Sequence, residues 1–84
     1  MRVVTVVTKK GCHLCERVIG ALEELAQRYD IEVRTLDISR DAKLTNKYFL
    51  EIPVVQVEGR DVFTGRDMTV DSAFVSKLER ALKP

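Results

Sequence analysis

Eighty-four residues suffice for one modest hydrophobic core and not for two, and a composition of 45% apolar and 32% charged residues is that of an ordinary globular domain spanning residues 1–84. Fourteen Lys and Arg against thirteen Asp and Glu leave a formal charge of +1, which removes the electrostatic case for nucleic acid or an anionic membrane as partner. No apolar run approaches the roughly 20 residues that span a bilayer and the N-terminus lacks a basic-then-apolar secretory pattern, so a cytoplasmic location is expected.

The chain opens on Val3-Val4-Thr5-Val6-Val7-Thr8, apolar or β-branched on both alternating faces, which predicts a central strand covered on both sides. After Gly11-Cys12-His13-Leu14-Cys15 the spacing becomes helical. Leu14, Val18, Leu22, Leu25 and Tyr29 recur at three or four residues, Glu24 and Arg28 are spaced for an outward ion pair, and Asp30 breaks the helix. Residues 31–38 alternate with one more polar face, as in an edge strand, and two strands joined by such a helix read as a parallel unit with a right-handed crossover. Ser39 or Asp41 is placed to cap a short helix to about Leu50, with Leu44, Tyr48 and Phe49 turned inward.

Pro53 cannot donate to a sheet ladder, so it belongs at the start of the strand Val54-Val55-Gln56-Val57. Residues 58–61 then turn the chain into an antiparallel strand over 62–64. A final helix from Asp71 or Ser72 to Leu82 buries Phe74, Val75, Leu78 and Leu82. The order is βαβαββα, an α/β class with no repeat and no linker.

Cys12 and Cys15 are the only cysteines. In a reducing compartment such a pair is more often catalytic or metal-binding than structural. A zinc site needs four ligands, and two cysteines with one histidine do not supply them, so no metal is expected. Thiol–disulfide exchange instead needs one thiolate to attack a substrate disulfide and a second thiol to resolve the mixed disulfide. Cys12, at the start of a helix with Lys9 and Lys10 just upstream, suits the attacking role. Cys15, one turn in on the same face as Val18 and Leu22, suits the resolving one. Protonated His13 would favour a thiolate at Cys12; alternatively it is a solvated first-turn residue.

The Cys12-His13-Leu14-Cys15 motif after the first strand, Ile52-Pro53 before the third, and this order of elements resemble the glutaredoxins of the thioredoxin superfamily. The string Lys9-Lys10-Gly11-Cys12-His13-Leu14-Cys15 is similar to a compact glutaredoxin-like group. The resemblance implies a four-stranded mixed sheet with the first strand interior, flanked by three helices. It also implies an exposed Cys12, a more buried Cys15 and a cis Pro53 facing them, with the Ile52 backbone aligning an extended substrate. The function implied is a dithiol–disulfide oxidoreductase acting on a protein or small-molecule disulfide.

The same resemblance implies a reducing partner, either glutathione as co-substrate or a reductase, with no permanently bound cofactor and a monomeric chain. Lys9 stands where glutaredoxins often place a basic residue near a glutathione carboxylate. Gly65-Arg66-Asp67 partly matches a glutathione-holding segment; alternatively Gly65 ends the hairpin and Asp67, Thr69 or Asp71 caps the last helix. Two departures from the family are His13-Leu14 in place of the common Pro-Tyr, and Ile52 where Val often precedes the proline. Two other function classes stay open at this point: an iron–sulfur cluster carrier using Cys12 thiolates of two subunits, and a binding module with incidental cysteines.

Overall fold

A computed structural model describes residues 2–65 and 72–82 and contains β1 (Arg2–Thr8), α1 (His13–Leu25), β2 (Ile31–Asp37), α2 (Ala42–Tyr48), β3 (Val54–Val57), β4 (Arg60–Phe63) and α3 (Ser72–Leu82). The element order is the one expected from the sequence. The four strands form one mixed sheet in the order β2-β1-β3-β4. β1 pairs in parallel with β2 and antiparallel with β3, and β3 pairs antiparallel with β4.

Because alternate strand residues point to opposite faces, the β-branched run of β1 feeds two separate cores. Val4 and Val6 pack with Val55 and Val57 against Val18, Leu22 and Leu25 of α1 and Phe74, Leu78 and Leu82 of α3. Val7 and Val54 face the other way and meet Ile38 and Tyr48, with Leu44 of α2 packed alongside. Two helices therefore cover one face of the sheet and one covers the other. The edge position of β2 explains its more polar pattern, and Leu36 on it is exposed. Among the described residues no helix is long and apolar enough to cross a membrane.

Four local expectations are corrected. The helix α1 ends at Leu25, short of Tyr29, because the chain tightens there. The N–H groups of Gln27 and Arg28 donate to the carbonyls of Glu24 and Leu25, the shorter spacing in which helices commonly finish. Arg28 accordingly sits over the Tyr29 ring, 5.8 Å from its centroid, rather than reaching back to Glu24.

Second, α2 ends at Tyr48 rather than near Leu50; its cap is Asp41, one of the two expected, whose carboxylate accepts from the Leu44 N–H at 3.0 Å. Third, Phe49 is not inward. It is 61% exposed and Leu50 is 65% exposed, because Tyr48 already fills the position facing Val7 and Val54 and the next helical residue rotates away by about 100°.

Fourth, the hairpin turn is only two residues long. Glu58 (φ 50) and Gly59 (φ 81) both occupy the left-handed region, the geometry that matches strand twist in tight hairpins, so β4 begins at Arg60. Glu58 holds this unusual conformation while bonded at both ends to Val3: its N–H donates to the Val3 carbonyl at 3.0 Å, and its Oε1 accepts from the Val3 N–H at 3.1 Å.

Candidate active site

The cysteines sit where the central strand hands over to the first helix. Gly11 takes φ +80, a conformation that glycine adopts without steric cost, and this bend delivers Cys12 to the N-cap of α1. Cap residues normally offer a side-chain oxygen to the unpaired N–H groups of the first turn. Here the acceptor is sulfur: Cys12 Sγ accepts from the Cys15 N–H at 3.2 Å. The two residues are joined as a disulfide, with Cα atoms 5.2 Å apart. Cys12 is half-buried, whereas Cys15 is 1% exposed and continues the buried stripe of Val18, Leu22 and Leu25.

The sheet register brings the proline segment to the same end of the molecule. Val7 pairs with Val54, so Pro53 lies one step beyond the pair, beside the point where β1 runs out towards Lys9 and Gly11. The Ile52-Pro53 bond is cis and Pro53 is buried. Ile52 is half-buried, and its N–H donates to the Tyr48 carbonyl at 3.2 Å. Gly65 backs this peptide. Its N–H donates to the Glu51 carbonyl at 2.6 Å, and a Cβ on residue 65 would overlap the Ile52 carbonyl, with the carbonyl carbon at 2.7 Å and Pro53 Cδ at 3.0 Å. The glycine is needed for close approach of one backbone to another.

The remaining candidates divide. Lys9 is exposed. His13 is 96% exposed at its side chain and directs Nδ1 towards Glu16 Oε2 at 3.9 Å, along the helix surface. Arg66 and Asp67, like the proposed caps Thr69 and Asp71, lie outside the described residues. Among the described residues no group of three or more His, Cys, Asp or Glu is placed to hold a metal ion.

One part of the site is absent from the sequence reading. Lys10, Asp37, Ser39 and Arg40 line an open crevice of about 550 Å³ at the carboxyl ends of β1 and β2. The Ser39 N–H donates to Asp37 Oδ1 at 2.8 Å, and Ser39 Oγ accepts from the Lys10 N–H at 3.1 Å. The hydrogen bonds from Ser39 hold the Asp37 carboxyl below its ordinary value, with the Arg40 and Lys10 cations acting in the same direction. The available signal was the spacing Asp37-x-Ser39 after a strand, in which an aspartate accepts from the backbone two residues on.

The family model described as Glutaredoxin-like domain (DUF836) matches residues 3–83. Among curated protein sequences none matches the chain. Among solved structures, the chain is similar to protein Ne2328 from Nitrosomonas europaea, with a TM-score of 0.77 and 26% identity over 98% of this chain and 92% of that one. Thioredoxin 1 from Thermosipho africanus TCF52B superposes with a TM-score of 0.66 at 15% identity, over 95% and 93% of the two chains. The oxidised thioredoxin from Plasmodium falciparum gives 0.66 at 20% identity, over 98% and 82%. The two thioredoxins establish the thioredoxin fold for this chain.

Proposed function

This chain belongs to the glutaredoxin-like domain family (DUF836), and on that premise we propose that it is a dithiol–disulfide oxidoreductase in which Cys12 attacks and Cys15 resolves. The observation that carries the reading is the Cys12 sulfur at the helix cap, accepting the Cys15 N–H at 3.2 Å while within bonding reach of a buried second sulfur. Lowering a thiol from about 8.5 to about 7 takes roughly 2 kcal/mol of preferential thiolate stabilisation. The dipole of a helix supplies about 0.3 to 1 kcal/mol of that at an exposed end. One hydrogen bond to a charged acceptor contributes roughly 1.5 to 3 kcal/mol, so the Cys15 N–H suffices for the remainder.

The chemistry runs in two exchanges. The Cys12 thiolate attacks one sulfur of a substrate disulfide, forming a mixed disulfide and expelling a thiolate that takes up a proton. Cys15, after losing its proton, attacks Cys12 Sγ and expels the second substrate thiolate. The substrate gains two electrons and the protein is left as the Cys12–Cys15 disulfide. A thiol donor, glutathione or the dithiol of a reductase, returns the two electrons in the reverse sequence. Lys9, exposed and three residues before Cys12, offers a cation to a carboxylate on such a thiol. The substrate lies across Ile52 and Pro53, where an extended chain would compete with the Tyr48 carbonyl for the Ile52 N–H.

The test is a pair of variants assayed against a small disulfide and a disulfide-bonded peptide. Cys12→Ser is expected to abolish reduction. Cys15→Ser is expected to accumulate a mixed disulfide on Cys12 that intact mass detects. Reduction at the wild-type rate by Cys12→Ser contradicts the assignment.

A further inference from the structure

We propose that Ser39 and Asp37 are positioning residues for Cys12, bracing the loop that carries the attacking thiol against the end of β2. The inference rests on the dithiol reading and extends it to residues outside the Cys12-x-x-Cys15 motif. The end of β1 and the loop that follows it are each tied once to the stretch after β2. The Ile38 N–H donates to the Thr8 carbonyl at 3.0 Å, and the Lys10 N–H donates to Ser39 Oγ at 3.1 Å. A serine hydroxyl has one proton and two lone pairs. In this arrangement a lone pair receives the Lys10 N–H, and the Ser39 side chain helps hold the Asp37 carboxyl below its ordinary value. Asp37 also accepts from the Ser39 N–H at 2.8 Å, which fixes the backbone beneath the hydroxyl. The result is a linked path from Asp37 through the Ser39 N–H and Ser39 Oγ to the Lys10 N–H, which stands one residue before the Gly11 bend and two before Cys12.

The thiolate depends on distance to one N–H, and the bond strength falls steeply with misalignment. A loop free to shift would release Cys12 from the cap. The charged groups facing Asp37 are Lys10 from the loop after β1 and Arg40 from the loop after β2, so its charge is partly balanced where it stands.

Positioning and plain electrostatics make opposite predictions here. A negative charge near a thiol disfavours the thiolate, so deleting Asp37 as a mere charge lowers the Cys12 pKa. Deleting it as a brace raises that pKa.

The experiment measures the pH dependence of alkylation of the fully reduced full-length chain by iodoacetamide, with peptide mapping to isolate Cys12. Ser39→Ala and Asp37→Ala are each expected to move the Cys12 midpoint up by about half a unit or more, a roughly threefold loss of thiolate at a pH below the midpoint. Ser39→Thr, which keeps the hydroxyl, is expected to retain the wild-type midpoint. An unchanged midpoint in Ser39→Ala, a lowered one in Asp37→Ala, or a Ser39→Thr shift equal to that of Ser39→Ala overturns the proposal. The readout needs no turnover. If wild type fails to reduce disulfides while the expected midpoint shifts appear, the oxidoreductase reading falls and the brace stands; turnover without those shifts gives the converse.

Discussion

Cys12 caps a helix with its sulfur, and the backbone N–H that the cap receives is the one that would stabilise a thiolate in the proposed attacking role. His13, between the cysteines, lies on the exposed side of the first turn of α1. Its side chain is 96% exposed and its nearest ionic neighbour is Glu16 on the outer face of α1. Surface charges of this kind contribute little in water, so His13→Ala is expected to leave the potential of the Cys12–Cys15 couple within about 10 mV of wild type, measured against a glutathione buffer. Gly65 is the opposite case, inconspicuous in sequence and tightly constrained in space. Gly65→Ala would drive a methyl into the Ile52 carbonyl, and denaturant unfolding is expected to show a loss of about 1 to 3 kcal/mol, the usual range for overpacking. An unchanged midpoint in denaturant would contradict that contact.

At the scale of elements, what was legible in the sequence depended on whether a local pattern or a distant partner decides the outcome. The central strand was legible because Val4, Val6 and Val7 make both faces of a short run apolar, and their β-branched side chains favour a strand over a buried helix. The burial of Cys15 was legible because its spacing to Val18 and Leu22 sets it on the buried stripe of α1. Phe49 was misplaced because periodicity does not say which of two adjacent aromatics wins the inward position; Tyr48 wins it by packing under Val7 and Val54. Phe49→Ser is therefore expected to change stability by no more than about 0.5 kcal/mol, as at other exposed sites. Leu22→Ala, in the core beneath β1, is expected to lose about 2 to 5 kcal/mol on the same denaturant curve. The brace at Asp37 and Ser39 was hidden for a related reason: it joins two loops 29 residues apart, and only the parallel register of β1 with β2 makes them neighbours.

The brace also has a pH signature. The folded chain holds Asp37 below its ordinary carboxyl value of 3.8, so this group adds stability above that pH. That contribution is lost as pH falls through the lowered folded-state value. Asp37→Asn should remove it, leaving an acid-unfolding profile that is flatter below about pH 4 than that of wild type. An identical profile in the two proteins would show that the carboxylate is not specifically held.

For the whole molecule, the sheet converts sequence separation into proximity. The parallel pair and the antiparallel pair that share β1 bring three loops to one end: the one carrying Cys12, the one carrying Ser39, and the approach to Pro53. Family membership places this arrangement among glutaredoxin-like domains. The dithiol chemistry itself is tested most directly by equilibrating the wild-type chain across a series of glutathione redox buffers, quenching with an alkylating reagent and reading intact mass. The account predicts one reversible two-electron transition between a doubly alkylated and an unalkylated form, at potentials in the cytosolic range of about −220 to −320 mV. A chain that takes up two alkyl groups in every buffer, so that Cys12 and Cys15 never close, would contradict it.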